Sequence, residues 1–154
     1  MRRDEVNKKV KPQDASKLRV GIVVSDFNAD ITHALLEGAL EALLEWKVQE
    51  KNISVVHVPG GFEIPLACKR LLRAKIKPHA IVALGCVLKG ETKHDEYISH
   101  AVAGGIMHVM LENNVPISFG VLTPNTLEQA KVRSMGEMNH GKYTAVAALE
   151  MALK

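Results

Sequence analysis

Four short apolar runs alternate along the chain with longer stretches in which apolar residues recur at helical spacing. Short apolar runs bounded by turn residues are typical of buried strands, whereas recurrence every three or four residues is typical of amphipathic helices. Strands that alternate with helices favour a parallel sheet with helices on both faces. The sequence therefore predicts an α/β domain of three layers, α/β/α, around a four-stranded parallel sheet. The predicted strands cover residues 18–24, 53–58, 81–84 and 115–122, and the predicted helices cover residues 31–46, 65–74, 95–112, 126–135 and 142–154.

The length and composition suit one domain, because 154 residues with 47% hydrophobic side chains can bury a sizeable core. The formal net charge of +3 and the aromatic content of 4% do not indicate a nucleic-acid partner. No apolar run approaches the roughly 18 residues that span a bilayer, and no signal peptide is evident, so we expect no membrane partner and a cytoplasmic location. Residues 1–17 are charged and polar without periodicity, which predicts a flexible tail before a domain over residues 18–154.

The spacing of cysteines and histidines does not indicate a metal site. Cys68 and Cys86 are far apart and lie in apolar segments, which predicts two buried thiols. His94, His100 and His108 are separated by six and eight residues, whereas two imidazoles that share a metal on one helix face are four residues apart. The sequence therefore predicts no metal ligands.

The turn after the third predicted strand is a candidate phosphate site. Residues 85–92 nearly match a P-loop, but Glu91 occupies the position of the lysine that neutralises the β- and γ-phosphates, which argues against an NTPase. A single phosphate held by backbone amides at the start of the next helix is compatible with this turn. His94, in the same turn, can transfer protons near neutral pH. The alternative is an ordinary strand–helix loop with a surface histidine.

Residues able to bind a small molecule also follow the first two predicted strands. Phe27 can stack on a flat ligand, or alternatively pack beneath its own loop. Gly60 and Gly61 let the backbone approach a ligand, and Glu63 either contacts that ligand or stabilises a helix start. His57, within the second strand, is interpreted as structural. Because parallel strands end at one edge of a sheet, these loops converge and favour a site for a flat, polyhydroxylated molecule with a phosphate group.

Five segments of the chain, in their order and spacing, resemble the lumazine synthase family. The resemblance covers residues 18–154, and the combination of five segments is specific. It implies that the predicted sheet is of the flavodoxin-like type. The segments are SDFNADIT (25–32), VPGGFEIP (58–65), ALGCVLKGETKH (83–94), FGVLTPNTLEQAKVR (119–133) and NHG (139–141).

The resemblance implies a transferase. Family members condense 5-amino-6-(D-ribitylamino)uracil with 3,4-dihydroxy-2-butanone 4-phosphate to 6,7-dimethyl-8-ribityllumazine and phosphate. This is the penultimate step of riboflavin biosynthesis and needs no metal or organic cofactor. The alternative is a non-catalytic protein that binds a lumazine or a flavin on the same scaffold. The presence of both His94 and Arg133 argues against that alternative, because binding alone does not require a proton shuttle.

Carried over position by position, the family pattern implies a role for residues in every loop. His94 is the expected general acid and base, and Phe119 and Arg133 are expected to reach the site of an adjacent subunit. The residues expected to bind the pyrimidine and ribityl groups are Phe27, Asn28, Gly61, Phe62, Glu63, Cys86, Val87, Leu88 and Phe119, and those expected to bind the phosphate are Gly90, Glu91, Thr92 and Arg133.

The resemblance also implies a homo-oligomer, either a pentamer or a sixty-subunit shell of pentamers, with active sites between adjacent subunits. Riboflavin synthase is a further expected partner. Some positions depart from the family pattern. His140 stands where many members have a lysine, so no phosphate role is carried over to it. Asp95 replaces the usual aromatic or apolar residue, and a carboxylate near His94 would favour the protonated imidazole.

Overall fold

The computed structural model describes residues 10–154, and it contains every predicted strand and helix. The strands are β1 (Val20–Ser25), β2 (Ile53–Val58), β3 (Ala80–Cys86) and β4 (Ile117–Leu122). The helices are α1 (Ala29–Glu45), α2 (Ile64–Leu72), α3 (His94–Asn113), α4 (Leu127–Ser134) and α5 (His140–Ala152). Short 3₁₀ turns cover Glu50–Asn52, Gly61–Glu63 and Gly136–Met138.

The four strands form one parallel sheet in the order β2-β1-β3-β4. The chain runs outward from β1 to β2 and then returns past β1 to β3, so the direction of winding reverses between β1 and β3. Such a reversal opens a crevice at the carboxyl ends of the two strands, because their connections leave in opposite directions. The prediction of a three-layer α/β/α domain around a flavodoxin-like parallel sheet is confirmed.

Helices cover both faces of the sheet and divide the core into two clusters. Ile22 and Val24 of β1 pack in a cluster with α1 and α5, whereas Val23, which points to the opposite face, packs in a cluster with α2 and α3. Strands β1 and β3 are therefore buried along their whole length, which explains their continuous apolar runs. Cys68 and Cys86 are free and buried, as predicted.

Thr126 and Gln129 form a modified capping box at the start of α4. Thr126 accepts a hydrogen bond from the Gln129 backbone at 3.2 Å, and the Gln129 side chain accepts one from the Asn125 backbone at 2.9 Å. The side chain of Gln129 therefore reaches one residue further back than in the usual box. Both bonds satisfy backbone donors at the helix start, which explains why α4 begins where the pattern predicted.

The break predicted over residues 136–141 is shorter than expected, because Asn139 caps a helix. Helix α5 begins at His140 rather than at residue 142. The buried Asn139 Oδ1 accepts a hydrogen bond from the Gly141 amide at 2.8 Å. Its Nδ2 donates to the carbonyl oxygens of Ala34, at 2.8 Å, and Ser134, at 2.7 Å. One side chain thereby ties α5 to α1 and to the end of α4.

The tail predicted over residues 1–17 lies in large part outside the described residues. Residues 10–14 are exposed, whereas Ala15 is buried and donates its backbone N–H to the carbonyl of Trp46 at 2.9 Å. The packed domain therefore includes Ala15. No helix within residues 10–154 is long and apolar enough to cross a bilayer.

Candidate functional site

A cleft of about 840 Å³ lies at the carboxyl edge of the sheet, between the segments that follow β1, β2 and β3. Its volume is ordinary for a small-molecule site. The fold therefore brings together, in one chain, loops that are far apart in sequence. The residues predicted from the sequence that line this cleft are Phe27, Gly61, Phe62, Glu63, Cys86, Val87, Leu88, Gly90, Thr92 and His94.

Three aromatic side chains, those of Phe27, Phe62 and Tyr97, are exposed at the cleft. Phe27 is 70% exposed and Phe62 is 62% exposed, so Phe27 does not pack beneath its own loop. The Phe27 backbone is nevertheless fixed, because its N–H donates to the Pro59 carbonyl at 3.1 Å. Exposed aromatic rings on a fixed backbone are suited to stack on a flat ligand or to be covered by another chain.

Asn28 connects the two sides of the crevice between β1 and β3. Its Nδ2 donates to the Cys86 carbonyl at 3.0 Å, and its backbone is left-handed, with φ 60° and ψ 48°. Asn28 occupies the N-cap position of α1, but its side chain makes no capping bond, and Asn28 is not among the residues that line the cleft. The bond to Cys86 uses the amide nitrogen and leaves Oδ1 as the atom able to accept a bond from a ligand.

The loop after β3 is held by the loop after β4. The Val87 amide donates to the Leu122 carbonyl at 2.8 Å, and the Lys89 amide donates to the Pro124 carbonyl at 3.1 Å. Burial raises the pKa of the Cys86 thiol to about 11, so this sulfur is protonated at neutral pH and is not a nucleophile. Cys86 therefore offers backbone groups to the cleft rather than a reactive thiolate.

His94 is the first residue of α3 and is exposed at the cleft. Its backbone amide donates to Thr92 Oγ1 at 3.4 Å, which fixes the turn. The neighbouring Asp95 carboxylate accepts a long hydrogen bond, 3.5 Å, from the Gly90 amide. Asp95 thus occupies a backbone donor of the turn that the sequence predicts as a phosphate site, and Glu91 does not line the cleft.

Phe119 and Arg133 line a second pocket, of about 670 Å³, rather than the cleft that contains His94. This pocket lies between the end of β4 and helices α4 and α5. Phe119 is 44% exposed, and the Arg133 guanidinium donates one bond to the Gln129 carbonyl at 3.0 Å. The remaining donors of that guanidinium suit an anion. Within one chain, the structure does not bring these two residues together with His94.

Three cleft residues on α3 were missed by the sequence analysis as ligand contacts. Tyr97, Ile98 and Ala101 line the cleft, and Tyr97 is 74% exposed rather than part of the core. Helical geometry could have predicted these contacts, because residues three, four and seven positions after His94 lie on the same face of a helix as His94. The signal was ambiguous because the same apolar spacing is typical of a buried face.

A family model described as 6,7-dimethyl-8-ribityllumazine synthase matches residues 17–154. The matched range contains all four strands, all five helices and the residues of both pockets. A match over nearly the whole chain shows that the fold and the loops at its carboxyl edge belong to one family pattern. The chain is therefore a member of the 6,7-dimethyl-8-ribityllumazine synthase family, a family of transferases in riboflavin biosynthesis.

Proposed function

We propose that the chain condenses 5-amino-6-(D-ribitylamino)uracil with 3,4-dihydroxy-2-butanone 4-phosphate, giving 6,7-dimethyl-8-ribityllumazine, phosphate and water. The observation that carries this proposal is the cleft itself, in which three exposed aromatic rings, backbone groups after β3 and a histidine surround one volume. Phe27 and Phe62 suit the flat pyrimidine. Asn28 and the turn from Gly61 to Glu63 suit the hydroxyl groups of the ribityl chain.

His94 is the proposed general acid and base. The 5-amino group attacks the ketone, water leaves to form an imine, phosphate leaves, and the ribitylamino nitrogen closes the ring with loss of a second water. Each step moves a proton, and one imidazole, which can both accept and donate a proton, can serve several of them. The aminouracil is already a good nucleophile, so positioning of the two substrates supplies a large part of the acceleration. The mechanism uses no metal and no organic cofactor.

The phosphate is proposed to lie between two subunits. Gly90 and Thr92 offer loop contacts from one subunit, and Arg133 approaches from its neighbour together with Phe119. Glu91, between Gly90 and Thr92 in the chain, does not line the cleft. This assignment is supported by the separation of the two pockets within one chain, because a site that needs both halves requires a second copy. We propose a homo-oligomer, either a pentamer or a sixty-subunit shell of pentamers, with riboflavin synthase as a downstream partner. Two free buried thiols suit a reducing compartment, so we propose a cytoplasmic location.

Combining two impaired variants tests the shared site directly. His94→Ala removes the proposed acid and base from one half of a site, and Arg133→Ala removes the phosphate ligand from the other half. When the two variants are expressed together, some interfaces pair an intact His94 with an intact Arg133. We expect lumazine formation, followed by absorbance, to exceed the sum of the separately expressed variants. Activity no greater than that sum would refute the shared site.

The alternative is a protein that binds a lumazine or flavin without turnover. The contact between Asp95 and the Gly90 amide is the observation that favours it, because a carboxylate on a proposed phosphate donor repels the phosphate. Equilibrium binding of the aminouracil without any rate above the uncatalysed reaction would support this alternative. Enzyme-dependent product from both substrates would exclude it.

A further inference from the structure

Two histidines and one aspartate converge outside the cleft, where β1, β2 and α1 meet. Asp26 follows β1, His57 lies on β2 and His33 lies near the start of α1. Asp26 Oδ1 is 2.7 Å from His57 Nδ1 and 3.3 Å from His33 Nε2. One potential ligand atom from each residue lies within 4.8 Å of the other two. None of the three residues lines the cleft or the second pocket.

We propose that Asp26, His33 and His57 bind one divalent transition-metal ion of the zinc type. Two imidazoles and one carboxylate form a donor set that such ions accept with a further position left open for water. Two ligands of a tetrahedral ion lie about 3.3 Å apart when each bond is about 2.0 Å long. The separation between Asp26 and His33 already has this value.

The distance from His57 Nδ1 to Asp26 Oδ1, 2.7 Å, is shorter than the distance between two ligand atoms on one ion. The ion therefore replaces that hydrogen bond: the proton on Nδ1 moves to the other ring nitrogen, and the two atoms move apart. This adjustment is small, about half an ångström, relative to the ligand spacing of a tetrahedral ion. The side chains have the freedom to make it, because each of the three is about half exposed, at 47–51%. The same exposure gives an ion access from solvent.

The orientation of the rings supports a common ligand. The ring centroids of His33 and His57 are 5.8 Å apart and the rings are nearly perpendicular, at 86°, so their nitrogens converge on Asp26 without stacking. A single atom, Asp26 Oδ1, faces a nitrogen of both rings.

The bound ion would act as a structural clamp rather than as part of the reaction. It would join the segment after β1 to β2, next to Phe27, whose backbone already bonds to Pro59. Without an ion, Asp26 accepts hydrogen bonds from the two imidazoles instead. These bonds are exposed to solvent and contribute little to the stability of the fold. The positive end of α1 opposes a cation near this position, so the Asp26 charge is essential to the site.

Zn²⁺ titration by calorimetry tests the proposal, with the full chain, without a histidine tag, after removal of metals by a chelator. We expect one ion per chain. We also expect His33→Gln, His57→Gln and Asp26→Asn each to weaken binding at least tenfold, because even the loss of a residue that only contacts a metal ligand costs about tenfold or more in affinity. His108→Gln is the matched control, because His108 is also exposed and its Nε2 lies 4.0 Å from a carboxylate, that of Glu112. Its affinity should equal that of the unchanged chain.

Co²⁺ absorption supplies a second readout that does not depend on binding heat. The unchanged chain and His108→Gln should show the visible bands of a tetrahedral site, and His57→Gln should not. Circular dichroism of each variant establishes that the fold is retained. No stoichiometric Zn²⁺ binding to the unchanged chain, or equal affinity in His57→Gln and His108→Gln, would overturn the proposal.

Discussion

The side chain of Asn139 is expected to contribute more to stability than any surface amide, and Asn139→Ala measures this. The substitution removes three hydrogen bonds and leaves the carbonyls of Ala34 and Ser134 and the Gly141 amide without that partner. At about 1 kcal/mol for each bond, the free energy of unfolding should fall by about 3 kcal/mol. Gly38 on α1 leaves room for this amide, since a Cβ at that position would clash with it.

Urea unfolding followed by circular dichroism, at one fixed protein concentration, gives the comparison. Asn113→Ala is the matched control, because the Asn113 side chain is partly buried and donates one bond, to the Val109 carbonyl at 2.8 Å. The free energy of unfolding should fall by about 1 kcal/mol in Asn113→Ala. Asn139→Asp keeps the acceptor for Gly141 but turns two donated bonds into repulsion, so it should be at least as unstable as Asn139→Ala. A loss in Asn139→Ala no larger than in Asn113→Ala would refute the reasoning.

Three further predictions concern the proposed site. His94→Ala should lower kcat about 100-fold without abolishing turnover, the lower end of a general acid–base contribution, and total loss with unchanged substrate binding would contradict a mechanism based on positioning. Asp95→Ala should lower the KM for the phosphate substrate by about threefold to tenfold, because it removes a negative charge that would repel the phosphate at Gly90. Glu96→Ala, in the same helical turn, is the control and should have a smaller effect. Iodoacetamide should label Cys86 in the folded chain slowly at pH 8 and faster as the pH approaches the thiol pKa of about 11. The unfolded chain should already react rapidly near pH 9. Fast labelling of the folded chain at pH 8 would contradict the burial of this thiol.

Local pattern was sufficient for the elements and for the edge at which the loops meet. The two central strands, β1 and β3, were predictable from their continuous apolar runs, because a strand that is buried on both faces favours apolar residues at successive positions. The start of α4 was predictable from Thr126 and Gln129, because a cap is made by residues three positions apart. Convergence of the loops follows from parallel strands alone, so the sequence predicts that His94 and Phe27 lie at one edge, and both line the cleft there.

The sequence by itself therefore determined the layers of the domain, the sheet edge that carries the loops, and most residues of the cleft. The tertiary structure decided what depends on distances between residues far apart in the chain. His33 and His57 meet at Asp26 only because β1 pairs with β2 and α1 begins beside them. Phe119 and Arg133 fall into a separate pocket because β4 lies two strands away from the β1 loop that carries Phe27. Periodicity reports which side of an element is buried, but it contains no information on which distant residues will share a site.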